Sequence, residues 1–279
     1  MTLPTSGITG SVADKNAGQN KAVSVAGLAL AGADLGNYSV NSGPGLTVNI
    51  TPRSLTPTAL PVTKVYDGTT GATVSLEAAN RVTGDTVTLN GTASYASSGA
   101  GAGVAVTVSG LTLSGADAAN YQLSSTQINT TGSIERRDIS ITPNAAEKVF
   151  GTALSLGNSA YTVGGLGLAS GETLTSVTLT SAGAAATADV LGSPYSITAS
   201  NATGSGFDAA NYNLSYGSGL LTVRPRPVTV AANGRVLVTG DTLPAANSYG
   251  FSTSVDGLAG NDRLANVTVT PQGLSGTRA

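Results

Sequence analysis

GADAANYQL, residues 115–123, holds an acidic residue, two alanines and an Asn-Tyr pair ahead of an alternating tail. It does not stand alone. GADLGNYSV occupies 32–40 and GFDAANYNL 206–214, so whatever the stretch does is done three times. A structural device must recur in every copy of a repeat, whereas a catalytic one need not. The segment therefore reads first as a bend. Asp34, Asp117 and Asp208 would accept backbone N–H bonds two or three residues on. Asn37, Asn120 and Asn211 tolerate left-handed dihedrals, and Tyr38, Tyr121 and Tyr212 would open the last strand of each unit. Each ring would pack on a core edge with its hydroxyl bonded to backbone, like the tyrosine corner of other β-sandwiches. The rival reading places Ca²⁺ at the three aspartates. Calcium takes six to eight oxygens, and one carboxylate per site supplies too few, so the expectation is no cofactor, with Ca²⁺ the one candidate.

The repeat extends well beyond this stretch. Residues 14–38 align without a gap on 97–121 at an offset of 83, and a third copy ends at Tyr212, 91 beyond Tyr121. The front of the unit repeats as well: RSLTPTALPVTKVYDGTT from Arg53 is answered by RDISITPNAAEKVFGTAL from Arg137 at an offset of 84. GLASGETLTSVTLT at 167–180 matches GLAGNDRLANVTVT at 257–270, an offset of 90. A unit of this size can bury its own core, unlike a short solenoid repeat that leans on its neighbours.

Segments such as VAVTVSGLTL (104–113) and RPVTVAA (226–232) alternate or run β-branched between Gly, Pro, Asn and Ser, and no long window sustains helical spacing. The fold class expected is all-β: tandem small β-sandwich or β-grasp-like modules, set end to end as an elongated rod. The parse is two whole modules, 53–136 and 137–224, flanked by the back half of a repeat at 1–52 and the front half of another at 225–279. Both ends read as cut, and the array is expected to continue in both directions.

Composition narrows the function. Of 279 residues only 10 % are charged, against roughly 25 % in ordinary soluble domains, and the net charge is -2. Four Lys and nine Arg lie scattered, with no basic stripe for a phosphate backbone, so nucleic acid is not an expected partner. No apolar run is long enough for a membrane span. There is no cysteine, which suits a long chain exported unfolded, and no histidine, which removes the commonest general base and metal ligand. No Ser-His pair, no evident carboxylate pair and no GxxxxGK loop is present, so no enzyme is expected.

KVYDGTT, 64–70, reads as a hairpin: Tyr66 in a strand, Asp67-Gly68 as the two-residue turn, and threonines resuming the strand. The matching KVFGTAL keeps the aromatic and loses the Asp. Asp85, Glu172 and Asp262 occupy equivalent turns, and read as solvated residues that discourage edge pairing.

KVYDGTT, SGLTLSGADAANYQL and the GSI that follows resemble the YDG-type repeat, while EKVFGTAL, GLASGETL and NYNLSYGSGLLTVRP resemble the related MBG-type repeat. Both occur in tandem in large bacterial exoproteins of the filamentous-haemagglutinin, two-partner-secretion kind. The resemblance implies a Gram-negative secreted or cell-surface protein whose modules form a stalk for adhesion and biofilm, with no catalytic residues. Expected partners are the neighbouring repeats of the same chain. Two further readings stay open: modules that hold host or matrix glycans or mucin through exposed Tyr95, Tyr161, Tyr195 and Tyr249, and lateral self-association into a filament.

Overall fold

The computed structural model describes residues 6–40, 43, 45–236, 238, 250–254 and 257–268. Two compact units divide the chain, Met1–Arg137 and Asp138–Ala279. Among the described residues every regular element is a strand or a three-residue 3₁₀ turn.

In the first unit the strands are β1 Thr9–Val12, β2 Gly18–Ala26, β3 Thr47–Ile50, β4 Arg53–Ala59, β5 Val62–Val65 and β6 Gly71–Ala72. They continue with β7 Leu76–Ala79, β8 Thr88–Tyr95, β9 Gly101–Ser114, β10 Tyr121–Leu123 and β11 Ile128–Glu135. β1, β2 and β3 form one antiparallel sheet. The rest form two layers, a three-stranded sheet in the order β10-β4-β7 and a five-stranded sheet in the order β5-β11-β9-β8-β6. Alternation decides which side of a strand is buried. In β4, Leu55 and Pro57 point inward while Ser54, Thr56 and Thr58 face solvent. Leu55, Val87 and Tyr121 make a buried cluster, joined by Ala78, Leu113 and Leu123.

In the second unit follow β12 Arg137–Pro143, β13 Ala146–Val149, β14 Tyr161–Gly165, β15 Thr173–Thr180, β16 Tyr195–Ser205, β17 Tyr212–Tyr216, β18 Ser218–Arg224, β19 Val230–Ala232 and β20 Phe251–Thr253. The layers are β14-β12-β17 and β13-β18-β16-β15, with β19 and β20 as a separate pair. Ile141, Val177 and Ala199 form the buried cluster, from β12 on one layer and β15 and β16 on the other. Ile141 and Val177 are fully buried, and truncating Ile141 to Ala would cost about 2–5 kcal/mol.

The layers are not purely antiparallel. β5 runs parallel to β11, Val62 opposite Gly132 and Val65 opposite Glu135, and β13 runs parallel to β18, Ala146 opposite Leu221 and Val149 opposite Arg224. Each module thus places a strand from its beginning beside one from its end. This overturns the hairpin expected at Asp67-Gly68, because β5 and β6 sit at opposite edges of their sheet. Tyr66 lies just past β5, and its N–H donates to the Glu135 carbonyl at 2.8 Å, which extends the parallel ladder and commits the chain to β11. Tyr121 likewise does not open the last strand. It opens the short β10, parallel to β4, and β11 follows.

Candidate functional site: tyrosine–carboxylate clamps

The Asn-Tyr stretches build short 3₁₀ turns, Leu35–Asn37, Ala118–Asn120 and Ala209–Asn211, each followed by an extended tyrosine. In the second unit Asp208 acts as the local reading predicts, its Oδ1 accepting from Ala210 N at 2.9 Å. Asp117 does not. Its Oδ2 accepts from Thr86 N at 2.9 Å while its own N–H donates to the Thr86 carbonyl at 3.2 Å, so it staples the turn to the start of β8, 31 residues back. The Asp34 side chain caps nothing in its own turn.

The tyrosines carry the recurrent geometry. Tyr121 is 7 % exposed, and its hydroxyl accepts from Val82 N at 3.1 Å and donates to Asp85 Oδ2 at 2.6 Å. Tyr212 is 2 % exposed; its hydroxyl accepts from Ala169 N at 2.9 Å and donates to Glu172 Oε2. One hydroxyl thereby satisfies a backbone donor and a carboxylate at once, closing the turn that leads into β8 or β15. Tyr38, by contrast, is 59 % exposed. Asp85 is therefore not the solvated turn residue expected. Its side chain is only 7 % exposed, because Lys15 ion-pairs with it from one side and Tyr121 donates from the other. Lys15, then Tyr121, hold the Asp85 carboxyl below its usual pKa. Burial first, then Asp85, raises the Tyr121 phenol. Glu172 shares the clamp through Tyr212, and Asp262, in the equivalent turn, donates its N–H to the Ala259 carbonyl at 3.1 Å.

Asn120 has a further task. Its Oδ1 accepts from Ala17 N at 2.8 Å and its Nδ2 donates to Asn16 Oδ1 at 3.0 Å, while Lys15 also reaches Asp117 at 3.6 Å. The segment before β2 is thus tied to the turn of the following module. Asn211 sits at the end of its own 3₁₀ turn, with its N–H on the Asp208 carbonyl at 3.0 Å.

KVYDGTT forms a second polar centre. Lys64 Nζ donates to Asp67 Oδ1 at 2.7 Å and to the Thr69 and Gly71 carbonyls, and lies 5.5 Å from the centre of the Tyr95 ring. Asp67 Oδ1 also accepts from Thr69 N, and Gly68 takes the positive φ of 81° that the turn requires. Burial acts on the Asp67 carboxyl most strongly and upward, yet Lys64 and the two donors of Thr69 together keep it below its usual pKa. In the second module Lys148 is 6 % exposed and donates to the carbonyls of Thr152 and Ala185.

Of the four tyrosines offered as a glycan surface, the three described ones are not exposed. Tyr95 is 2 % exposed, its hydroxyl reaching the Val62 and Ser133 carbonyls of β5 and β11. Burial raises its phenol pKa. Tyr161 and Tyr195 are half-buried, with hydroxyls donated to the Leu174 and Asp189 carbonyls. Tyr249 lies outside the described residues. Among the described residues no three of Asp, Glu, His and Cys gather closely enough to hold a metal ion.

Two-layer β modules whose recurring acids and tyrosines close turns define a repeat module of the all-β class. Residues 1–45 and 51–128 match the family model of the YDG domain, and residues 139–222 match that of the MBG domain, YGX type. Over these residues the chain carries YDG and MBG domains. No curated protein and no solved structure matches it.

Proposed function

We propose that this chain is a non-enzymatic stalk segment of a large bacterial surface adhesin or secreted exoprotein, transmitting tension between the cell and whatever the rest of that protein holds. One observation carries the reading. In both modules a strand from the beginning lies parallel to one from the end, β5 on β11 and β13 on β18. Force applied at the two ends of a module reaches β5 or β13 through β4 or β12, which lead into them, and slides the strands of the parallel pair along each other. Their hydrogen bonds are strained together, not opened one by one from an end, and shear of this kind resists more than unzipping does.

Side chains reinforce that contact. The Tyr95 hydroxyl touches both β5 and β11, and Gly132 leaves room for it: a Cβ there would come within 2.4 Å of the Val62 carbonyl and 2.8 Å of the Tyr95 ring. In the second module Arg224 of β18 pairs with Glu147 of β13 through both carboxylate oxygens, at 2.7 and 2.8 Å. On this reading the localisation is the outer surface of a Gram-negative cell, the working partners are adjacent repeats, and no cofactor takes part.

Small-angle scattering of the 279-residue chain tests the stalk. An extended array gives a radius of gyration well above the about 19 Å of a compact body of this length. A value near 19 Å would refute it.

A further inference from the structure

The two modules differ at one position of the smaller sheet. Leu76 of β7 pairs with Ala59, and Tyr161 of β14 pairs with Pro143; Ala59 and Pro143 are themselves equivalent at the 84-residue offset. Two residues further on, Ala78 corresponds to Val163 by the same registers. In the second module the Tyr161 ring packs against the Ile141–Val177–Ala199 cluster and its hydroxyl donates to the Leu174 carbonyl at 3.3 Å. In the first, smaller side chains leave a pocket of about 450 Å³ between β7 and β8, lined by Leu76, Glu77, Ala78, Arg81, Val87 and Leu89. The carbonyl matching that of Leu174 belongs to Val87, and it accepts from Arg81 Nη1 at 3.2 Å.

We propose that this pocket receives the side chain of a tyrosine on an extended partner segment. The sister module provides the precedent, since its own tyrosine fills the same space. The volume falls within the about 300–1,000 Å³ of ordinary ligand sites, enough for a phenol ring with part of its backbone. The aliphatic part of the wall is Leu76, Ala78, Val87 and Leu89, and Thr88, Glu77 and Arg81 make the rest polar. The polar groups suit a phenol tip. A carbonyl has two lone pairs and a guanidinium five N–H donors, so a phenol oxygen can accept from Arg81 while its hydrogen goes to Val87. Glu77 and Arg81 offset each other in charge, which favours a neutral ring over an anion. β7 is also the outer strand of its sheet, hydrogen-bonded to β4 alone among the described strands. Its outward backbone groups can pair with an extended segment, as in other strand-addition sites.

The test is NMR titration of the full chain with N-acetyltyrosinamide, with p-cresol, the bare side chain, alongside. Shifts are expected at the methyl groups of Leu76, Ala78, Val87 and Leu89, with a Kd of about 1–10 mM for ligands of this size. Leu76→Tyr supplies the ring that Tyr161 supplies in the sister module, and should reduce binding at least tenfold. Ala78→Val narrows the same pocket by two carbons and should reduce it as well; Arg81→Met, at an exposed position, should weaken it severalfold. Absent or diffuse shifts at about 20 mM, a concentration above that expected Kd, would overturn the proposal. So would binding undiminished in Leu76→Tyr and Ala78→Val, or binding of p-cresol without N-acetyltyrosinamide.

Discussion

The YDG and MBG modules close the same turn in the same way and hold the same lysine in different ways. Tyr121 with Asp85 and Tyr212 with Glu172 are one device, although the acids differ by a methylene. Lys64 and Lys148 are equivalent by the 84-residue offset, yet Lys64 pairs with Asp67, whereas Lys148 is buried on two carbonyls, its module having Gly151 in the place of the aspartate. The tyrosine clamp tolerates exchange of its carboxylate but retains its phenol. At the lysine the cation is retained and the acid is dispensable. What recurs is therefore the group that reaches across the fold, not the group that belongs to a local turn.

The largest effects should come from the clamps. Tyr121→Phe strands the Val82 N–H and takes a donor from Asp85; Tyr212→Phe does the same to the Ala169 N–H and Glu172. Each should cost about 2–3 kcal/mol, seen in urea denaturation and as faster hydrogen exchange at the Val82 or Ala169 amide. A difference beyond about 1 kcal/mol would end the claim that the clamps are equivalent.

The lysines should diverge instead. Lys148→Met leaves two carbonyls without a donor in a site 6 % exposed, at about 2 kcal/mol. Lys64→Met breaks an ion pair whose carboxylate is 47 % exposed and frees the Thr69 and Gly71 carbonyls at exposed positions where water can replace the donor, at about 1 kcal/mol or less. The reverse order would show that the Asp67 pair, and not burial, anchors this position.

The smallest effect is expected from Lys15→Met, a slight and salt-dependent one, because the Lys15 side chain is 66 % exposed. Its pH dependence is more informative. The folded Asp85 pKa lies below the ordinary 3.8, through Lys15 first and Tyr121 second, so its contribution is present above that value and lost as pH falls through the folded pKa. The folded Lys15 pKa lies above 10.5, through Asp85, so its contribution is complete below 10.5 and lost as pH rises through the folded value. Lys15→Met should flatten both limbs in the first unit. The acid limb of the second unit, where Arg224 lowers the Glu147 pKa, should be unchanged.

The all-β class, the repeat and the bend at Asn-Tyr could all be read from the sequence, because alternation, turn residues and self-similarity are local or periodic signals. So could a tyrosine pinning backbone with its hydroxyl, as Tyr121 and Tyr212 do. The acid beside that hydroxyl was not evident, since Asp85 lies 36 residues from Tyr121 and its turn alone looks solvated. A signal was present in the joint recurrence of Asp85 with Tyr121 and Glu172 with Tyr212. The Asp67-Gly68 stretch misled for the opposite reason. Its local chemistry is that of a turn, but the pairing of β5 is decided by β11, seventy residues away in register from Val62 to Gly132.

Single-molecule stretching of the chain, held by its two ends, tests shear of the parallel pairs β5–β11 and β13–β18 most directly. Two abrupt unfolding events of similar force are expected, one per whole module, each releasing about 25–30 nm of chain. Gradual extension without distinct peaks would contradict it.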